Sequence, residues 1–143
     1  MDTKRILVVE DDSFLRQIYS DTLSAENYSV DVAVDGEEGF AKLKIGGYDV
    51  VLLDILMPKM NGFEVVEKLK TDPEYKGNNK VIIYLTNLDN EADIKRALEL
   101  GNGYLIKSQI TPGDLAKEVK MYTEKSSIGT DNNTSGTLDQ EAA

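Results

Sequence analysis

Ile6-Leu7-Val8-Val9-Glu10-Asp11-Asp12 is the stretch on which the fold turns. Four apolar residues in a row, three of them β-branched, leave no polar face. The run reads as a short strand buried on both sides, of the kind found inside a parallel sheet. It stops abruptly at three acids. Phe14, Leu15, Ile18, Tyr19 and Leu23 then recur at helical spacing, with Asp12 or Ser13 placed to cap the helix. A buried strand leading straight into an amphipathic helix is the first half of a βαβ unit.

The same alternation continues along the chain. Val30, Val32 and Val34 alternate with Asp31 and Ala33 as in a half-exposed strand, and Asp35-Gly36 turns the chain into a short helix carrying Phe40, Leu43 and Ile45, closed by Gly46-Gly47. Val50-Val51-Leu52-Leu53 is a second apolar run and ends at Asp54. Met57-Pro58-Lys59-Met60-Asn61-Gly62 is a loop, and Phe63, Val65, Val66 and Leu69 give a helix that ends near Asp72-Pro73. Val81-Ile82-Ile83-Tyr84-Leu85 is a third apolar strand, ending at Thr86. Ile94, Ala97, Leu98 and Leu100 form a helix stopped by Gly101. Tyr104-Leu105-Ile106 is the last strand and ends at Lys107. Thr111, Pro112 and Asp114 are the N-cap, first and third positions of a final helix, with Leu115, Val119 and Tyr122 on its apolar face. Five strands alternating with five helices predict an α/β fold, a doubly wound five-stranded parallel sheet with helices on both faces.

Length and charge narrow the function. A chain of 143 residues is expected to form one domain, here residues 1–125, and the Ser-, Gly-, Asn- and Thr-rich stretch 126–143, which has no Lys or Arg, reads as a disordered acidic tail. No second, output domain is expected from the residues that remain. The net charge of −10 repels nucleic acid and anionic lipid, so no direct nucleic-acid contact and no membrane contact are expected. There is no apolar run of signal-peptide or membrane-spanning length, which makes the expected location cytoplasmic. The absence of cysteine and histidine excludes thiol chemistry, imidazole ligands and a phosphohistidine-donor role.

The strands end, in order, on Glu10-Asp11, Val34-Asp35, Asp54, Thr86 and Lys107. In an open α/β sheet, ligands bind beyond the carboxyl ends of the strands. Glu10, Asp11 and Asp54 make a hard oxygen site suited to Mg2+. The Thr86 hydroxyl and the Lys107 ammonium suit a phosphoryl group carried on one of those carboxylates. Taken alone, each has a plainer role, such as Asp54 as a strand-end cap and Lys107 as a solvated lysine. Their joint placement favours the chemical role.

These residues also resemble a known family. Ile6 to Asp12, Asp54 to Gly62, Leu85-Thr86 and Tyr104 to Lys107, in this order and at these spacings, are similar to the receiver domains of two-component response regulators, and the resemblance covers residues 4 to about 124. It implies a flavodoxin-like (βα)5 fold with strand order 2-1-3-4-5 and a phosphoacceptor carboxylate at Asp54. It implies Mg2+ held by Glu10, Asp11, Asp54 and the main-chain carbonyl of Leu56, with Asp11 a direct ligand and Glu10 acting through water. Lys107 would pair with a phosphoryl oxygen, and Thr86 with Tyr104 would form the switch. The donor would be a sensor histidine kinase or a histidine phosphotransfer protein, and the output a protein contact. The chain would be a monomer or a weak phosphorylation-dependent dimer, and not an enzyme beyond assisting its own phosphorylation and dephosphorylation.

Four departures stand out. The position after Lys107, usually a proline in a cis bond, is Ser108; a cis bond before a non-proline residue costs ~2.5–4 kcal/mol, so either a trans bond with a re-routed loop or a strained cis bond is expected. Asn87 replaces the usual small residue after Thr86 and could crowd the site. Leu56 and Leu88 are apolar at two positions that tune phosphoryl hydrolysis in the family. The loop Gly101-Asn102-Gly103-Tyr104 reads as one residue shorter than is usual in the family. A receiver-like module that docks without phosphorylation is the competing function. A haloacid-dehalogenase phosphatase would need a second Asp where Leu56 stands, and the acids at 10–12 would repel a flavin phosphate.

Overall fold

The structure is a computed structural model that describes residues 3–87 and 91–128. Strands β1 (Arg5–Val9), β2 (Ser29–Ala33), β3 (Val50–Asp54), β4 (Ile82–Thr86) and β5 (Gly103–Ile106) alternate with helices α1 (Ser13–Ala25), α2 (Gly36–Ile45), α3 (Gly62–Thr71), α4 (Glu91–Leu100) and α5 (Pro112–Ile128). The strands form one parallel sheet in the order β2-β1-β3-β4-β5. The order reverses between β1 and β3, and the crevice beyond their carboxyl ends is where such sheets bind ligands.

Alternation along the strands builds two cores. Leu7, Val9, Val51, Leu53 and Tyr84 face α2, α3 and α4, meeting Leu43, Val66, Leu69 and Ala97. Ile6, Val8, Val50, Leu52, Ile83 and Leu85 face α1 and α5, meeting Tyr19, Leu23, Leu115 and Val119. Because β1 and β3 bury both faces, Ile6–Val9 and Val50–Leu53 are apolar without interruption.

Local chemistry sets the helix starts. The Asp12 carboxylate accepts the N–H groups of Phe14 and Leu15 at 2.9 and 3.0 Å, which makes Asp12 rather than Ser13 the N-cap. Asp35 caps α2, so Asp35-Gly36 is a helix start and not a free turn. Asn61 and Glu64 form a reciprocal capping box at α3, and Thr111 and Asp114 do so at α5.

Several expected core positions lie outside the core. Phe14, 72% exposed, sits in the first turn of α1, which begins beyond the end of β1 where no sheet covers it. Ile45 ends α2 at the opposite edge and is exposed for the same reason. Leu98 points away from the inward row of Ile94, Ala97 and Leu100. The last helix runs to Ile128, past the expected boundary at residue 125; the stretch 129–143 and Leu88 lie outside the described residues.

Tyr84 is fully buried, its ring centroid 5.0 Å from that of Phe63, and among the described residues its hydroxyl has no hydrogen-bond partner. A buried polar group without a partner costs stability. Tyr84→Phe is therefore expected to raise the urea midpoint, by about 1 kcal/mol in unfolding free energy. A lowered midpoint would contradict this.

Candidate functional site

Glu10 follows β1, Asp54 ends β3 and Lys107 follows β5, so three strands bring these side chains to one edge of the sheet. Glu10 is 0% exposed and Asp54 2%. Lys107 Nζ donates to Glu10 Oε1 at 3.0 Å and lies 3.2 Å from Asp54 Oδ2. Glu10 Oε2 accepts the Asp12 N–H at 3.1 Å. Asp11 is exposed at the mouth, and one carboxylate oxygen from each of Glu10, Asp11 and Asp54 lies within 4.8 Å of the others.

Charge does not balance here. Three carboxylates face one ammonium, and Asp54 Oδ2, although close to Lys107, has no hydrogen-bond partner among the described residues. Burial, and then the Glu10 carboxylate, push the Asp54 carboxyl well above the usual range, against the pull of Lys107. Burial alone would lower the Lys107 ammonium, but Asp54 and Glu10 more than reverse that and hold it charged. A buried carboxylate oxygen that accepts no hydrogen bond, beside two further carboxylates, belongs to a donor set that fits a hard divalent cation.

The loop between β3 and α3 covers one side of the site. Lys59 takes a left-handed conformation (φ 71°) and pairs with Asp35 at 3.3 Å. The loop backbone touches the start of α2 so closely that a Cβ at Gly36 would lie 1.9 Å from the Met60 carbonyl oxygen. At its other end, the Gly62 N–H donates to the Ile55 carbonyl at 2.9 Å, and a Cβ at Gly62 would lie 2.5 Å from the Asp54 carbonyl oxygen. Asp11, Leu56, Met57, Pro58, Lys59, Met60, Asn61 and Glu64 line an open cavity of about 530 Å³ beside the acids. The Leu56 side chain is 60% exposed there.

Thr86 is buried at the end of β4, one residue past Leu85, the register partner of Asp54. Tyr104 is half-buried against the α2–α4 core and pairs in register with Tyr84. Strand period places Tyr84 and Thr86 on the face opposite Leu85. Asn87 is exposed beyond the strand end. The Lys107–Ser108 bond is trans, and the chain turns through a short 3-10 helix, Lys107–Gln109, which is the re-routed loop anticipated for a chain lacking proline there. In the turn before β5, Asn102 exchanges two hydrogen bonds of 2.7 Å with the backbone of Ile82.

Residues 6–120 match the response regulator receiver domain model. The chain belongs to that family. It is similar to the chemotaxis protein CheY of Treponema pallidum, with 41% identity over 107 residues covering 72% of each chain. It is also similar to the transcriptional regulatory protein DltR of Streptococcus agalactiae, at 33% identity over 87% of this chain and 54% of DltR. The chain spans about half the length of several such curated relatives. Among solved structures, chemotaxis protein CheY4 of Vibrio cholerae superposes with a TM-score of 0.73 at 31% identity, covering 85% of this chain and 99% of CheY4. A CheY-like receiver domain protein of Methanospirillum hungatei superposes with a TM-score of 0.78 at 28% identity, covering 90% and 99%. The chain is thus a response regulator receiver domain of two-component signalling, with the flavodoxin-like (βα)5 fold.

Two site neighbours escaped the sequence reading. Arg16, one turn into α1, donates to the carbonyls of Glu10 and Asp11. Tyr19 is buried near the acids, and its hydroxyl titrates high because of burial first and then Glu10. Only the helical spacing of Tyr19 and the closeness of Arg16 to the acidic run hinted at either.

Proposed function

We propose that this receiver accepts a phosphoryl group on Asp54 with Mg2+ bound, and that the modification changes which protein it contacts. The observation that carries this reading is the unbalanced pocket: three carboxylates, one ammonium, and a buried Asp54 oxygen without a hydrogen-bond partner. Glu10, Asp11, Asp54 and the Leu56 main-chain carbonyl would hold the metal. When bound, it offsets repulsion between phosphoryl oxygens and carboxylates. An Asp54 carboxylate oxygen forms the new O–P bond. The P–N bond of a phosphohistidine donor, on a sensor kinase or histidine phosphotransfer protein, breaks, and the imidazole leaves with the electron pair. Lys107, already beside Asp54, pairs with a phosphoryl oxygen.

Thr86 and Tyr104 then supply the read-out. Both stand on strands that neighbour each other, and Tyr104 is half-buried, so a shift of its ring would change the surface offered to a partner. The protein acts as a switch rather than as a catalyst on other molecules. A cytoplasmic location suits this role, and among the described residues no helix is long and apolar enough to cross a membrane.

The test is intact-mass measurement after incubation with Mg2+ and a small phosphodonor such as acetyl phosphate. A mass gain of one phosphoryl group, abolished by Asp54→Asn and by chelation, is expected. No labelling of the wild-type chain would favour a docking module that works without phosphorylation.

A further inference from the structure

Arg16 stands beside a concentration of acid and bonds to none of the carboxylates. Its Nη1 donates to the main-chain carbonyl of Glu10 at 2.9 Å and to that of Asp11 at 3.3 Å. Among the described residues it makes no ion pair with Glu10, Asp11, Asp12 or Asp54. A guanidinium serving only to neutralise charge would be expected to fork onto a carboxylate, the stronger acceptor. Here it grips the chain that carries the acids and leaves their oxygens free.

The Asp11 side chain is the one most affected. Glu10 is fixed independently, by Lys107 on one oxygen and the Asp12 N–H on the other. Asp12 is occupied in capping α1. The Asp11 carboxylate forms no hydrogen bond or ion pair among the described residues, so its direction depends on its main chain. That main chain is held from α1 by Arg16.

We propose that Arg16 is a positioning residue of the divalent-cation site, fixing the Glu10–Asp11 backbone so that the Asp11 carboxylate is presented to the metal beside Asp54. The proposal rests on the reading of Glu10, Asp11 and Asp54 as a cation site. It has a diagnostic sign. Removing a positive charge next to an acidic site should tighten cation binding if charge alone matters. Releasing a group that orients a ligand should weaken it, and partners of that kind are worth about 10-fold or more in metal affinity.

The experiment is a Mg2+ titration of the full chain, without phosphodonor, followed by the backbone amide shifts of Asp11 and Asp12. Arg16→Gln is expected to raise the Mg2+ dissociation constant by about 10-fold. Arg16→Lys keeps the charge, but its ammonium ends a shorter stem than the one that carries Nη1 to the two carbonyls, and it is expected to fall between the two. An Arg16→Gln chain that binds Mg2+ as tightly as wild type, or more tightly, overturns the proposal. Should Arg16→Gln fail to fold, Arg16→Lys decides, and wild-type affinity in that variant overturns it equally. A wild-type chain whose amides show no saturable response to Mg2+ instead overturns the cation site itself, before any variant is compared.

Discussion

Lys107→Met is expected to destabilise the metal-free protein by about 3–5 kcal/mol at neutral pH, because it removes the cation that, among the described residues, pairs with two buried carboxylates. Lys107 is only 11% exposed, and its Nζ lies 3.0 Å from Glu10 and 3.2 Å from Asp54. Methionine retains most of the stem and its packing, so the loss reports on charge. The two carboxyls must then either stay ionised without a partner or take up protons. In both cases the penalty is present at neutral pH and shrinks as acid protonates them, since below the ordinary carboxylate range folded and unfolded chains carry the same protons. Mg2+ should recover part of the loss by supplying positive charge to the same oxygens. Urea unfolding in EDTA and in Mg2+, at neutral and at acid pH, measures all of this. A cost below about 1 kcal/mol in EDTA at neutral pH would be that of an ordinary surface pair and would contradict the reading.

Asp54→Asn should do the opposite to stability while abolishing phosphoryl labelling. The wild-type Asp54 carboxyl is raised by burial and by Glu10, so its ionised form strains the metal-free fold. With the folded value above the unfolded one, the group's contribution is fully present below the ordinary carboxylate value and is lost as the pH rises toward its folded value. Asparagine does not titrate and leaves Glu10 and Lys107 as a balanced pair. The variant is expected to match wild type near pH 4 and to exceed it by about 2 kcal/mol at neutral pH in EDTA. Mg2+ should narrow that gap by stabilising wild type alone. A variant less stable than wild type at neutral pH would show that the Lys107–Asp54 attraction outweighs the burial of the charge. Paired with Lys107→Met, the result separates a functional charge excess from a structural ion pair.

The fold was legible because uninterrupted apolar runs such as Ile6–Val9 and Val50–Leu53 allow little except burial on both faces. The identity of the strand-end residues was equally visible, and Glu10, Asp11, Asp54 and Lys107 do converge. What periodicity misjudged were residues at helix ends. Phe14 and Ile45 fit an apolar stripe, but their helices overhang the sheet, and a stripe does not reveal how far the neighbouring element extends. The state of the Lys107–Ser108 bond depended on a loop that could close in two ways, and the 3-10 turn is the one that needs no cis bond. Arg16 was missed because its partners are carbonyls, which every residue possesses and no motif records.

The contact between Gly36 and the Met60 carbonyl has a consequence for anyone who wishes to re-engineer the molecule. Two segments far apart in the chain meet backbone to backbone, with no side chain between them to absorb a misfit. The segment Met57–Gly62 is therefore not an interchangeable cassette. A graft of that loop from a relative carrying any larger residue at the position of Gly36 would arrive shaped for a different neighbour, and the two positions would have to be exchanged together. Libraries that vary the loop to alter the lifetime or the partner of the switch would do well to hold Gly36 constant.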